Sequence, residues 1–211
     1  MSEQDCRFRL GVAEARLCLD FVNTEGTARN DPPERLGSLE LLLDWAVAKG
    51  ALAEAGRELQ ASAELAAATA DALLGRAREL REALYRIFKA HLAGGTPDPD
   101  DLTVLDRELA AAVTHLTLAW TEAGARWTWR RPPPGLEGIL WRVAASAADL
   151  LGSDKLDRVK ECDSATCSWM FVDESRNRSR RWCDMADCGN RAKVRRYHQR
   201  RRRGTSCGPA T

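Results

Sequence analysis

The chain has 211 residues and nearly balanced charge, 32 Lys and Arg against 31 Asp and Glu, a length that allows one good hydrophobic core plus a small appendage. No apolar run approaches the roughly 20 residues that span a bilayer, and no Gly-x-Gly-x-x-Gly, Walker loop, Gly-x-Ser-x-Gly or internal repeat occurs. The start, Met1-Ser2-Glu3-Gln4-Asp5, lacks the basic opening and apolar stretch of an export signal, so a cytoplasmic protein with reduced thiols is expected.

In chain order, Leu17, Leu19 and Phe21 alternate with Cys18, Asp20 and Val22, which predicts a strand ended by Asn23-Thr24-Glu25-Gly26. Ser38 caps a helix running to Lys49, with Gly50 as its stop. A long Ala- and Leu-rich helix is predicted from about Leu59 to Leu92, broken by Gly94-Gly95-Thr96-Pro97. Asp98 or Asp100 starts another, reaching about Val113. The period then changes to two at Leu116, Leu118 and Trp120, and at Trp127 and Trp129, across Glu122-Ala123-Gly124, the pattern of a hairpin. After Pro132 to Pro134 a helix from about Leu136 to Leu151 is predicted to pack on that hairpin and the earlier helices. The fold class is α+β: a helix-rich region, residues 1–155, with a small antiparallel sheet.

The clearest chemistry lies in residues 156–203. Cys162-x4-Cys167 and Cys183-x4-Cys188 are matched pairs separated by 15 residues, a spacing that closes a tetrahedral thiolate cage. Redox dithiols use two intervening residues and disulfides suit secreted chains, so a structural metal site is the reading. Zn2+ is the expected ion, with iron as the alternative, since both accept four thiolates. Between the pairs, Ser168 to Val172 is β-prone, and a polar turn, Asp173 to Arg178, leads to Arg180-Arg181-Trp182 as the second half of a hairpin. Phe171 and Trp182 are the candidates for its small core, and loss of one ligand should unfold so small a unit.

Residues 1–157 carry a net charge of −7 and residues 158–211 a net charge of +8. A divalent ion on four thiolates leaves the tail at about +6, enough to attract a polyanion. Arginine is this chain's default cation, 27 against 5 Lys, so its abundance is no sign of base recognition; only its clustering is informative. The helix opened by Cys188-Gly189-Asn190-Arg191 places Arg191, Arg195 and Arg202 in one stripe and Lys193, Arg196, Arg200 and Arg203 in the next, with Val194 and Tyr197 marking a packed side. The hairpin cations Arg176, Arg178, Arg180 and Arg181 extend this candidate nucleic-acid surface, which suits phosphate neutralisation. Residues 204–211 read as a flexible tail carrying Cys207.

Cys188-Gly189-Asn190-Arg191, with Arg180-Arg181-Trp182-Cys183 before it and Lys193 after it, resembles the CGNR zinc-finger family of bacterial transcription regulators. Leu19-Asp20-Phe21-Val22-Asn23-Thr24, Leu80-Arg81-Glu82-Ala83-Leu84-Tyr85 and Ser146-Ala147-Ala148-Asp149-Leu150-Leu151 are similar to that family's accompanying ABATE domain, so the resemblance covers nearly the whole chain. It implies an α+β regulatory or ligand-sensing domain followed by a treble-clef-like finger that binds DNA.

The leading expectation is therefore a zinc-dependent, DNA-binding transcription regulator that acts by binding and is not an enzyme. The alternatives are an RNA- or protein-binding finger, or an N-terminal domain that binds or transforms a small molecule through Asp20, Asn23, Thr24 and Arg29. Against the last stands a structural role, in which these residues terminate the first element by bonding to backbone. His91 and His115 are isolated, and Cys6 and Cys18 are ordinary buried or half-buried thiols.

Overall fold

The computed structural model describes residues 10–12, 16–25, 34–52, 67–130 and 135–204. Arg29, Cys6, Cys207 and the tail beyond residue 204 lie outside them, as does the start of the long helix predicted from Leu59.

The first element corrects the sequence expectation. Leu17–Val22 is a short helix, α1, not a strand. Leu17, Cys18, Leu19, Phe21 and Val22 are all buried, so the apparent alternation does not separate an inner from an outer face. A six-residue run in which only Asp20 reaches solvent takes its conformation from its neighbours and not from its period. Here Ser146 accepts the Cys18 amide at 3.0 Å, and the Trp45 ring tilts against Phe21 at 5.1 Å.

The next helices form where their end signals stand. In α2 (Leu39–Ala48) the Ser38 hydroxyl accepts from Leu41 N, and Gly50 stops the helix at φ 68°. Helix α3 (Ala67–Leu92) buries Leu73, Leu80, Leu84, Ile87 and Phe88. Asp98 caps α4 (Pro99–Thr114) through the Asp100 amide, with Pro99 in the first turn, where its missing N–H costs nothing. Helix α5 (Gly138–Leu151) is central, burying Ile139, Leu140, Val143, Ala144, Ala147 and Leu150 against α1, α3 and α4.

Charges inside this body are paired. Glu108, fully buried, receives two bonds from Arg76 at 3.1 and 2.8 Å. Arg81, almost as buried, forks onto Glu34 at 2.6 and 2.8 Å. Asp149 accepts the amides of Leu10 and Gly11 at 2.6 and 2.7 Å, tying that segment to α5.

Strands β1 (Leu116–Thr121) and β2 (Gly124–Trp129) form the expected hairpin, with Leu116 opposite Trp129, Leu118 opposite Trp127 and Gly124 at φ 102° in the turn. Only its base meets α5: Arg142 lies over the Trp129 ring at 5.0 Å and His115 stacks on Trp141 at 4.3 Å. The tip stands away, leaving Trp120 85% exposed.

A 3-10 turn, Leu156–Arg158, leads to a second two-stranded sheet, β3 (Val159–Glu161) with β4 (Met170–Val172). Its faces belong to different cores. Val159, Met170 and Val172 join the main core, while Phe171 packs with the cysteines. A π-helical turn, Met185–Gly189, then runs into α6 (Asn190–Gly204). The architecture is α+β, as the sequence predicts.

Candidate metal centre and basic helix

The pairing of β4 corrects a second expectation. Its partner is β3, which precedes the first cysteine pair, and not Arg180-Arg181-Trp182 beyond the polar turn. Val159 opposite Val172 supplies a second apolar residue for the face on the body, which two arginines and a tryptophan do not. The first knuckle, residues 162–169, is thus the turn of this hairpin, closed by Cys162 N on Trp169 O at 2.8 Å and Cys167 N on Ser164 O at 2.9 Å.

From β4 the chain swings through residues 173–180 around one buried carboxylate. Asp173 accepts from the Lys160 ammonium at 2.6 Å, from Ser175 N and Oγ at 2.9 and 2.5 Å, and from Arg180 N at 3.0 Å. Burial alone would raise its pKa, yet these donors hold it well below the usual carboxylate range. Lys160 also donates to Arg178 O at 2.5 Å and Arg180 O at 3.3 Å, and Arg178 takes the left-handed conformation at φ 50°. This clamp returns the chain to Cys183.

The four cysteines meet. Their Sγ atoms all lie within 4.8 Å of one another, with Cys167 to Cys183 and Cys183 to Cys188 both at 3.7 Å. Ligands about 2.3 Å from a tetrahedral ion sit about 3.8 Å apart, so the cage has the size of a four-thiolate metal site. All four thiols are free, which excludes the two-disulfide reading in this structure. Donor set and spacing therefore fit a metal ion.

Donors from outside the cage also reach the sulfurs, among them the Trp169 backbone on the Cys167 thiol. Cys183 N points at Cys162 Sγ at 3.4 Å, and the Arg191 guanidinium at Cys188 Sγ at 3.2 Å. Burial pushes the Cys167 thiol up to about 11 and raises Cys183 as well, with the neighbouring thiols adding to it. Burial also opposes ionisation of Cys188, but there Arg191 prevails and the pKa falls.

Each residue of the Cys188-to-Arg191 run has a separate task. Cys188 is a cage residue. Gly189 leaves space, because a Cβ there would meet Met185 Sδ at 2.8 Å. Asn190 donates to Ala186 O at 2.8 Å, fastening α6 to the π-turn, which Asp184 caps through the Ala186 and Asp187 amides. Arg191 bonds the Cys188 sulfur and pairs with Asp187 at 3.2 Å.

The structure divides the predicted cationic set. Arg176 and Arg178 on the loop, and Lys193, Arg195 and Arg196 on α6, are exposed. Arg180 is half-buried, lies 4.6 Å over the Phe171 ring and donates to the carbonyls of Trp182 and Cys183. Arg181 pairs with Asp163 and sits 5.3 Å over Trp182. Arg191 serves the cage. Arg200 and Arg203 belong to α6 by backbone, their side chains lying outside the description. Val194 and Tyr197 do not mark a packed side, being 54% and 58% exposed. Among the described residues helix α6 packs chiefly on the π-turn before it.

Of the candidate ligand residues, Asp20 pairs with Lys49 at 3.1 Å. Thr24 is buried and donates to Phe21 O at 2.6 Å. Asn23 bonds the backbone of Met170 in both directions, at 2.8 Å each. Asp20 and Asn23 also line a cavity of about 170 Å³ between α1 and the finger, along with Arg16, Trp169, Phe171 and Cys183. Lys160 and Asp173 carry no signal in the sequence, because a lysine and an aspartate 13 residues apart meet only through the strand pairing.

Body, cage and cationic helix together define a helix-rich α+β protein that carries a four-cysteine finger. Residues 15–154 match the ABATE family model, described as "Putative stress-induced transcription regulator", and residues 158–201 match the CGNR zinc finger. The chain belongs to the ABATE family and carries the CGNR finger at its C-terminal side. No curated protein matches it.

Proposed function

We propose that the four-cysteine centre holds zinc and that the finger binds duplex DNA, making the chain a DNA-binding transcription regulator. The observation that carries this reading is the joining of cage to helix. Arg191, in the first turn of α6, bonds a cage sulfur, so a metal that fixes Cys188 also fixes the helix presenting Lys193, Arg195 and Arg196. A closed four-thiolate site leaves no position for substrate water, which favours binding over catalysis.

Duplex is favoured over unpaired RNA by the state of the aromatics. Phe171 is buried and Trp169 and Trp182 pack on the cysteine cluster, so among the described finger's rings only Tyr197 and its neighbour His198 stand exposed for stacking. No described helix is long and apolar enough to cross a membrane.

Elemental analysis should find one zinc ion per chain. Binding of a fluorescent duplex should weaken with salt, and five phosphate contacts would give a log–log slope of about −4.5. Absence of stoichiometric metal, or undiminished binding after full chelation, overturns the reading.

A second reading, effector sensing, draws on the 170 Å³ cavity, because its walls join α1 of the body to Cys183 of the cage. A small molecule there would press on both. Asp20→Ala and Asn23→Ala variants screened by thermal shift against a metabolite library test it, and a library that shifts neither wild type nor variants counts against it.

A further inference from the structure

Helix α6 has 15 residues, eight of them Lys or Arg and none acidic. Every residue from Lys193 to Gln199 is exposed, and among these cations stand two bare apolar side chains, Val194 and Tyr197. A helix that only neutralised phosphates would need neither, and exposed apolar surface is unfavourable until something covers it.

Their positions are informative. At about 3.6 residues per turn, Asn190, Val194, Tyr197 and Arg201 fall on one stripe. Arg191 and Arg195 lie on one flank of it, Lys193 and Arg196 on the other. The Tyr197 ring is held along the helix, with the Arg201 guanidinium 5.8 Å above it and His198 at its edge. An apolar stripe between two cationic flanks is the pattern of a helix in the DNA major groove, where base edges face the centre and a phosphate strand runs along each wall. Pairing with a second copy of α6 is opposed by the same charges, since neither helix offers an acidic group to the other.

We propose that α6 enters the major groove with Val194 and Tyr197 toward the base edges, where they read thymine methyl groups, while Lys193, Arg195 and Arg196 take the two phosphate strands. The proposal rests on the duplex-DNA reading above and deepens it. Arg191, committed to Cys188 and Asp187, is a positioning residue and reads no base.

The test uses the full-length, metal-loaded chain. Duplexes selected from a random library should share a motif containing thymines, and deoxyuridine at a critical thymine, which removes only the methyl group, should weaken binding roughly fourfold. Val194→Ser and Tyr197→Ala should abolish that sensitivity and blur the motif, while affinity for unselected duplex and its salt slope stay as in wild type. Lys193→Ala and Arg196→Ala should weaken all duplexes alike and reduce the slope by about one unit each. Metal content and circular dichroism establish that each variant is folded.

Salt-dependent duplex binding without any enriched motif overturns the groove reading and leaves duplex binding standing. So does a deoxyuridine effect that survives when Val194→Ser and Tyr197→Ala are combined. Absence of duplex binding at low salt overturns both.

Discussion

The side chain of Asn23 lies against the backbone of Met170 as a neighbouring strand would, its amide donating to Met170 O and its carbonyl accepting Met170 N, both at 2.8 Å. One residue after α1 thereby satisfies the open edge of β4 and ties the body to the finger. Asn23→Ala leaves both backbone groups without these partners, at an expected cost of about 1–3 kcal/mol. Asn23→Asp keeps an acceptor for Met170 N but loses the donor to Met170 O. Urea denaturation should rank stability as wild type, then Asp, then Ala, and hydrogen exchange at the Met170 amide should accelerate in the Ala variant. An unchanged exchange rate would show that the edge is protected by something else.

Metal removal should not unfold the whole finger. Val159, Met170 and Val172 belong to the main core, so the β3–β4 hairpin is held by body contacts that need no ion. The π-turn and α6 lack such support, and α6 packs chiefly on the π-turn. Chelation should therefore remove helical signal equivalent to α6 while the principal thermal transition of the body persists. This narrows the expectation that losing one ligand unfolds the unit, and hydrogen exchange that rises equally in β4 and α6 would contradict it.

What was legible in the sequence follows the range of the forces involved. Ser38, Asp98 and Gly124 act within a few residues of themselves, so the ends of α2 and α4 and the β1–β2 turn could be read directly. The cage was legible because metal ligation permits few spacings. The conformation of Leu17–Val22 was not, since every residue but Asp20 is buried and tertiary contacts choose it. Nor was the partner of β4, because β3 is only three residues long and is selected by Val159 reaching the body core. The arginines were the hardest to sort: Arg180 and Arg191 serve carbonyls and a sulfur, while Lys193 and Arg196 face solvent, and composition treats all four alike.

Gly189 is less indispensable than its place in the motif suggests. An added Cβ would meet Met185 Sδ at 2.8 Å and Met185 Cε at 3.4 Å, but that side chain is unbranched and half-exposed, and the next residue, Trp182, stands at an ordinary 3.7 Å through Cε3. Gly189→Ala should cost about 1 kcal/mol, and Met185→Ala should relieve most of it in the double variant. A double-mutant cycle on zinc-loaded protein measures the coupling. Coupling near zero with a large single-variant cost would place the strain in the backbone and not at Met185.

Arg191 should govern metal retention and its pH dependence. Its guanidinium is 3.2 Å from Cys188 Sγ and lowers the pKa of that thiol, whereas burial pushes Cys167 up to about 11 and also raises Cys183. The raised thiols are protonated at neutral pH, so metal capture must expel their protons, and apparent affinity should rise as pH rises and fall as pH drops. Arg191→Ala removes the donor that favours the Cys188 thiolate and should weaken zinc binding about 10- to 100-fold in chelator competition. Its deficit should be larger at pH 6 than at pH 8, because without Arg191 the Cys188 proton is held more tightly and its release on capture costs more at low pH. Arg191→Lys keeps a charge but not the fork that joins Cys188 to Asp187, and should fall between the two. Equal affinities across the three proteins would reduce Arg191 to one more surface cation.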